Sequence, residues 1–383
     1  MSFHRKPSWQ FSPWMMTNTE PIRHLYVHVP FCAHICAYCD FAHVTYREKT
    51  ADAWLQAIQK EMEHAGIPAV LETIYVGGGT PTALSNDQLD QLLSLLDPYT
   101  EGVKEYTIEI NPETLDEAKV KILKKHGINR ASVGFQSSDP ELLSLMGRNH
   151  DLEMMHTCMD LLRQYGITNI SLDLMYSLPN QTMEQLQQSV FDALSLQPVH
   201  LSLYSLTIEE NTVFGKKGYA HLDEDSEADM YEWIVDTLHA KGYHQYEVSN
   251  FALDGYTSMH NIGYWQYDDF IGIGAGASGK ENGCRYDHDR SIKEYIADPY
   301  HRVLIPLSKE EQMFESLMMG IRMKEGMDLT LFENRFHESF VHHYGTVLDR
   351  MVKQGYMEIK DGKVRASDSG YVIMNSILVE FME

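Results

Sequence analysis

Between residues 22 and 210 the chain repeats one pattern: a short β-branched run, a turn, then a stretch with apolar residues every three to four positions. The runs 24–29 (HLYVHV), 73–77 (TIYVG), 105–110 (EYTIEI), 130–135 (RASVGF), 169–175 (NISLDLM) and 200–206 (HLSLYSL) read as strands. Between them, 50–65 and 86–97 read as amphipathic helices, the second with Asn86 as a plausible cap. Strands alternating with helices predict parallel pairing through right-handed crossovers. Six such units predict an α/β fold, a barrel that is complete or partial. Such barrels carry their chemistry at the C-terminal strand ends, where polar and glycine motifs recur here.

The pattern then changes twice. From about 211 it is less regular and rich in aromatics (Tyr243, Tyr246, Phe251, Tyr264, Trp265, Tyr267), with a glycine-rich strand, FIGIGAGASG. Near Ser308 a third section begins. Ser308 and Glu311 have capping-box spacing, and Met313, Phe314, Leu317, Met318 and Ile321 form one apolar helix face. Two further helices and a hairpin turning at Asp361-Gly362 follow. This order looks like a winged helix. The expected division is a flexible extension over 1–21, a barrel core over 22–210, a barrel extension over 211–306 and a winged-helix-like domain over 307–383.

Composition narrows the function. With 31 Lys+Arg against 55 Asp+Glu, the formal charge of −24 repels phosphate backbones. Residues 308–383 carry 9 basic and 13 acidic residues, net −4, so the winged-helix-like section fits packing or partner docking better than DNA. No apolar stretch is long enough to span a bilayer, and the first twenty residues lack a signal-peptide core. Five cysteines, an odd number with three clustered, do not describe a disulfide framework. They fit a reducing, cytoplasmic compartment, with Cys158 and Cys284 as packing residues.

The clustered three, Cys32, Cys36 and Cys39, lie in PFCAHICAYCDF directly after the first strand. Three thiolates on a four-iron cube leave one iron open for a ligand. A structural zinc site wants four ligands, and His28, His34, Asp40 or His43 could supply the fourth, so zinc stays open as an alternative. After the second strand comes Gly77-Gly78-Gly79-Thr80-Pro81-Thr82, whose glycines allow backbone amides close to a ligand or simply make a tight turn.

CxxxCxxC after the first strand with GGGTPT after the second resembles the radical S-adenosylmethionine enzymes. The branch is the one holding oxygen-independent coproporphyrinogen oxidases and HemW-type heme chaperones. YVHVPFC, TIEINPE, SVGFQS, LMGRNH, SLDLMYSLPNQT and HLSLYSLTIE support it, from about residue 22 to the C-terminus. The resemblance implies a partial (β/α)6 radical SAM barrel with a smaller winged-helix-like domain. It also implies a [4Fe-4S] cluster on Cys32, Cys36 and Cys39, whose open iron chelates S-adenosylmethionine. One electron from the cluster splits the sulfonium bond to give a 5′-deoxyadenosyl radical. By the same resemblance Gly78, Gly79 and Thr80 border the methionine moiety, Tyr26 sits beside a cluster ligand, and Tyr38 joins the cofactor contacts. Glu109 accepts from ribose hydroxyls, and Gln136, Arg148 and Asp173 contact S-adenosylmethionine, Arg148 by forking onto a carboxylate.

Two departures separate this chain from the oxidases. They resemble C-x3-C-x2-C-x-C, and the extra cysteine position here is Phe41; they also carry a longer region before the first strand, against about two dozen residues here. His260-Asn261-Ile262-Gly263-Tyr264-Trp265 resembles the HNxxYW signature of the chaperones. Its imidazole is a candidate heme contact and axial ligand, against the alternative of a histidine bonded within a turn. Ser278 stands where many relatives have histidine. The implied function is heme binding and transfer to an acceptor protein, with an electron donor if S-adenosylmethionine is cleaved. The alternatives are coproporphyrinogen decarboxylation and a zinc-stabilised interaction protein.

Overall fold

A computed structural model describes residues 21–382. The extension expected over 1–21 lies, but for its last residue, outside that range. The six expected strands form at His24–Val29 (β1), Thr73–Gly78 (β2), Glu105–Ile110 (β3), Arg130–Gln136 (β4), Asn169–Tyr176 (β5) and His200–Ser205 (β6). They pair in that order, all parallel.

The sheet does not close. Beyond β6 it continues antiparallel through Asn250–Ala252 (β7), and on the other side β1 pairs in parallel with Phe270–Ile273 (β8). Ser278–Glu281, Cys284–His288 and Arg302–Pro306 extend that edge as an antiparallel meander. The glycine-rich segment is therefore a strand, a turn at Gly274 and Gly276, and the start of the next strand. The barrel stays open between the β7 and β8 sides.

Strand periodicity explains what fills it. Alternate residues on each strand face opposite sides. Leu25, Val27 and Val29, Ile74 and Val76, and Ile108 and Ile110 enter the main apolar core beneath the flanking helices. The interleaved residues meet across the concave side, His24 with Thr73, Tyr26 with His28, Tyr75 with Glu109, Ser132 with Asp173 and Ser171 with His200, with Arg130 4.0 Å from Glu105, and this lumen is polar. The helix expected over 86–97 runs Asn86–Leu96 and is capped by Ser85, not Asn86. Ser85 accepts from Gln88 N and Gln88 bonds back, a reciprocal pair that Asn86 cannot make from inside the first turn.

The C-terminal section has its own apolar cluster. Met313 and Leu317 of helix Lys309–Gly320, with Ile321 at its C-cap, meet Phe332, Phe336 and Phe340 there. The Ser308–Glu311 capping box forms, and the hairpin turns at Asp361 and Gly362, both at positive φ as a type I′ turn requires. A third strand, Met327–Asp328, and two short C-terminal helices complete it. Asp268 ties this section to the barrel, receiving Arg23 at 2.9 Å, Arg335 at 3.1 Å and His24 at 3.3 Å. No described helix is long and apolar enough to cross a membrane.

Candidate functional site

The C-terminal ends of β1 to β6 surround a cavity of about 450 Å³. Cys32, Cys36 and Cys39 line it, all three as free thiols. Their loop is held from outside: Ala37 N donates to Met146 O at 2.9 Å, and Phe214 N donates to Ala37 O at 3.0 Å. Ala37 and Tyr38 also rest on a small apolar cluster of Leu142, Leu143, Met146, Met175, Leu178, Leu206 and Phe214. Burial pushes the Cys32 thiol up to about 12, so it keeps its proton until a cation takes the sulfur.

The glycine segment forms the opposite wall. Gly79 N donates to Val29 O and Thr80 N to Phe31 O, stitching the second strand's exit to the entry of the cysteine loop. A Cβ on Gly79 would lie 2.6 Å from Val29 O and 2.7 Å from Phe31 O, so no side chain fits. Gly78 adopts φ +101, open only to glycine, and its N–H turns onto Glu109 Oε2 at 3.0 Å. Thr80 Oγ1 donates to Cys32 Sγ at 3.8 Å.

Four polar side chains face the thiols. Glu109 accepts from Tyr75 Oη at 2.8 Å besides Gly78 N. Burial raises its pKa to about 7, Asp173 adds to the rise, and the two donors oppose it. Asp173 receives Ser132 Oγ at 2.9 Å and 3.0 Å; burial outweighs those bonds and raises its pKa as well. Gln136 sits where the β4–β5 register shifts, at φ +59, a conformation that non-glycine residues hold only under constraint from their surroundings. Arg148 follows a helix that ends in left-handed Gly147, and its Nη2 donates to Tyr38 Oη at 3.4 Å. Its buried Nε has no partner among the described residues.

The sequence therefore located Cys32, Cys36, Cys39, Tyr38, Gly78, Gly79, Thr80, Glu109, Gln136, Arg148 and Asp173 on one cavity. It missed Tyr75 and Ser132, which hold the two carboxylates, and Gly134. A Cβ on Gly134 would come 2.9 Å from Gln136 Nε2 and 3.4 Å from Arg148 Nη2, so its absence makes room for both. The alternation along β2 and β4 was the available signal for all three.

Two expected residues are not on this cavity. Tyr26 points into the lumen below it, its hydroxyl 2.9 Å from His28 Nδ1. His28 Nε2 lies 2.8 Å from Ala42 O, which can only accept, so Nδ1 is unprotonated and takes the Tyr26 proton. His260 lies farther off. It is 1 % exposed at the N-terminal ends of the strands, away from the cysteines. Its Nδ1 is 2.7 Å from Thr73 Oγ1, its Nε2 2.8 Å from Tyr264 Oη, and its ring stacks on Tyr75 at 5.1 Å between centroids. Both nitrogens are thus bonded inside the protein, the arrangement of a histidine held by its neighbours. Helix Met259–Trp265 is thus a plug at the base of the lumen, its first turn N–H groups bonded to the Glu105 carboxylate.

The residues present fit an iron–sulfur cluster with a small ligand: three free thiols on one cavity and, on its wall, a buried guanidinium nitrogen still to be paired. Among the described residues no three His, Cys, Asp or Glu side chains are already drawn together around one ion, and the choice between cluster and zinc falls to the comparison with known proteins.

Comparison with known proteins agrees with this geometry. Residues 26–193 match the radical SAM superfamily model and residues 307–373 the HemN C-terminal domain model. The solved coproporphyrinogen III oxidase (HemN) of Escherichia coli superposes with a TM-score of 0.82 over 96% of this chain and 92% of that one; at 21% identity it speaks for the fold alone. The heme chaperone HemW of Lactococcus lactis is 38% identical over 93% of this chain and 96% of its own length. That of Bacillus subtilis is 37% identical over 93% and 98%. The radical SAM family carries a [4Fe-4S] cluster and S-adenosylmethionine, and by these full-length matches the chain belongs to the HemW family within it.

Proposed function

We propose that this protein binds heme and passes it to an acceptor protein, from a scaffold that also holds a [4Fe-4S] cluster with exchangeable S-adenosylmethionine. The observation that carries the reading is the 38% identity to a heme chaperone over almost the full length of both chains. Phe41 supports it. Where the oxidases carry a further cysteine, this loop presents a phenylalanine that is 68% exposed and lines the cavity.

Within this reading Cys32, Cys36 and Cys39 would hold the cluster, which supplies a redox centre and one open iron when bound. Gly78 and Gly79 offer backbone where no side chain fits, beside Thr80, for the methionine part of the ligand. Arg148 offers its guanidinium to a carboxylate, while Gln136 adds an amide donor and acceptor. Glu109 and Asp173 present carboxyl oxygens to ligand hydroxyls at the cavity floor. All five cysteines are free, which suits the reducing interior of the cell.

The test is anaerobic reconstitution with iron, sulfide and heme, read by absorption, followed by a coproporphyrinogen assay on the same sample. Cluster absorption with about one heme per chain and no decarboxylated product supports the reading. Decarboxylated product with weak heme binding would return the chain to the oxidases. A chain that takes up zinc but neither iron nor heme would refute both.

A further inference from the structure

The open side of the barrel holds a second cavity, about 620 Å³, within the roughly 300–1,000 Å³ usual for ligand pockets. One wall is aromatic: Tyr264 and Trp265 from the plug helix, with Phe270 of β8, whose ring meets Tyr264 edge-on at 4.6 Å. The facing wall is helix Lys309–Gly320, which contributes Met318 and Met319, both half-buried. At the rim Arg285 is exposed and loosely paired with Glu315 at 3.4 Å, leaving most of its guanidinium to solvent. Tyr204, 42% exposed, lines both this cavity and the one holding the cysteines, so the two share one lumen wall.

A planar apolar macrocycle with a metal centre and acidic side chains needs flat walls, one ligand for the metal and a cation at the edge. Among the described residues lining this cavity there is no histidine and no cysteine. Tyr264 bonds His260, and Tyr267 donates to Glu315 at 2.7 Å. Burial raises the phenol pKa of Tyr264 and Tyr267, and the half-exposed Tyr204 faces the Asp173 and Glu247 carboxyls, which also oppose ionisation, so none offers a phenolate at neutral pH. Lys280 is tied to Asp269 at 2.5 Å and lies over the Tyr267 ring. The thioethers of Met318 and Met319 are what remains for a soft metal, and thioether is an established axial ligand of heme iron. Burial lifts Glu247, at the cavity wall, to about 7, and the other carboxylates of the lining are engaged: Asp268 with Arg23 and Arg335, Glu315 with Arg285, and Asp287 with Ser278.

We propose that heme occupies this lateral cavity, with its iron on the thioether of Met318 or Met319 and its propionates toward Arg285. The inference rests on the heme-binding reading above and replaces His260 as the iron contact. A neutral, weakly basic ligand also suits a protein that must release its cargo, since a strong imidazole bond would have to be broken at every transfer.

The experiment uses the full chain with its cluster reconstituted under anaerobic conditions, titrated with ferrous and ferric heme. The variants are M318L/M319L, M318H, M319H and R285E. The double leucine variant preserves volume and is expected to weaken ferrous heme binding at least tenfold. It should also abolish the sulfur-to-iron charge-transfer band of the ferric form, with iron and sulfide content unchanged. One of the two histidine variants should convert the spectrum to imidazole ligation. R285E should weaken binding several-fold without altering the ligand spectrum. Wild-type affinity and spectrum in all four variants would overturn the site while leaving the heme reading intact. No heme uptake by the wild-type chain would overturn both.

Discussion

Glu109 should couple ligand binding at the cysteine cavity to pH. Its carboxyl is buried between Tyr75 and Gly78 and faces Asp173, and burial lifts its pKa from the ordinary 4.5 to about 7. Each tenfold change in proton affinity is worth about 1.4 kcal/mol, so keeping this group ionised above pH 7 costs the folded chain about 3 kcal/mol. The sign follows from proton counts. Between 4.5 and about 7 the folded chain holds the proton and the unfolded chain does not, so this group lowers stability as pH rises through that window. A ligand whose hydroxyls donate to the carboxylate favours the ionised form, so its binding must expel the proton below pH 7. S-adenosylmethionine affinity should therefore climb by up to about tenfold per pH unit toward 7 and level off above it. Glu109→Gln keeps the shape and should flatten this slope while raising the melting temperature at pH 8. Calorimetric titration of the reconstituted protein at pH 6, 7 and 8, in buffers of different ionisation enthalpy, reads both affinity and proton release. A pH-independent affinity in the wild type, or the same slope in the glutamine variant, would refute the assignment.

Gly79→Ala forces a methyl group against the carbonyls of Val29 and Phe31 and should destabilise by about 1–3 kcal/mol while moving the cysteine loop; iron per chain after reconstitution should fall. Asp268→Asn should cost about 3 kcal/mol by leaving Arg335 and His24 beside a neutral group. Burial alone would raise the Asp268 pKa, but His24, Arg335 and Arg23 outweigh it and hold it below 3.8, so its contribution is present above that pH and lost on acidification. Urea melts at pH 7 and near pH 3 should show the variant gap narrowing at the lower pH. His260→Ala removes two buried side-chain bonds and the stack on Tyr75, and should cost roughly 3–5 kcal/mol by thermal melt while leaving heme stoichiometry and spectrum as in the wild type.

The strands were legible because each is a short run of alternating residues bounded by turns, a local signal. The polar lumen was present in the same alternation, but a polar residue opposite a valine looks like a solvent-facing position until the sheet is known to curl. The Ser85 cap turned on one detail, a glutamine three residues on, that Asn86 lacks. The thiols and the glycine cradle were legible because each is contiguous in sequence. Arg148 meets Tyr38 across 110 positions, and only the family resemblance connected them. His260 is the mirror image. Its motif is local and supplies one partner, Tyr264, whereas Thr73 and Tyr75 come from a strand far away in sequence and could not be read from it.

The mooring of the cysteine loop has a consequence for the history of each molecule. The loop owes its shape to backbone bonds with Met146 and Phe214 and to the apolar patch under Ala37 and Tyr38, none of which involves a cysteine sulfur. In a zinc finger the metal is the nucleus, and stripping it erases the fold. Here loss of a cluster would leave the backbone of the socket standing, so the same polypeptide should accept iron and sulfide again without refolding.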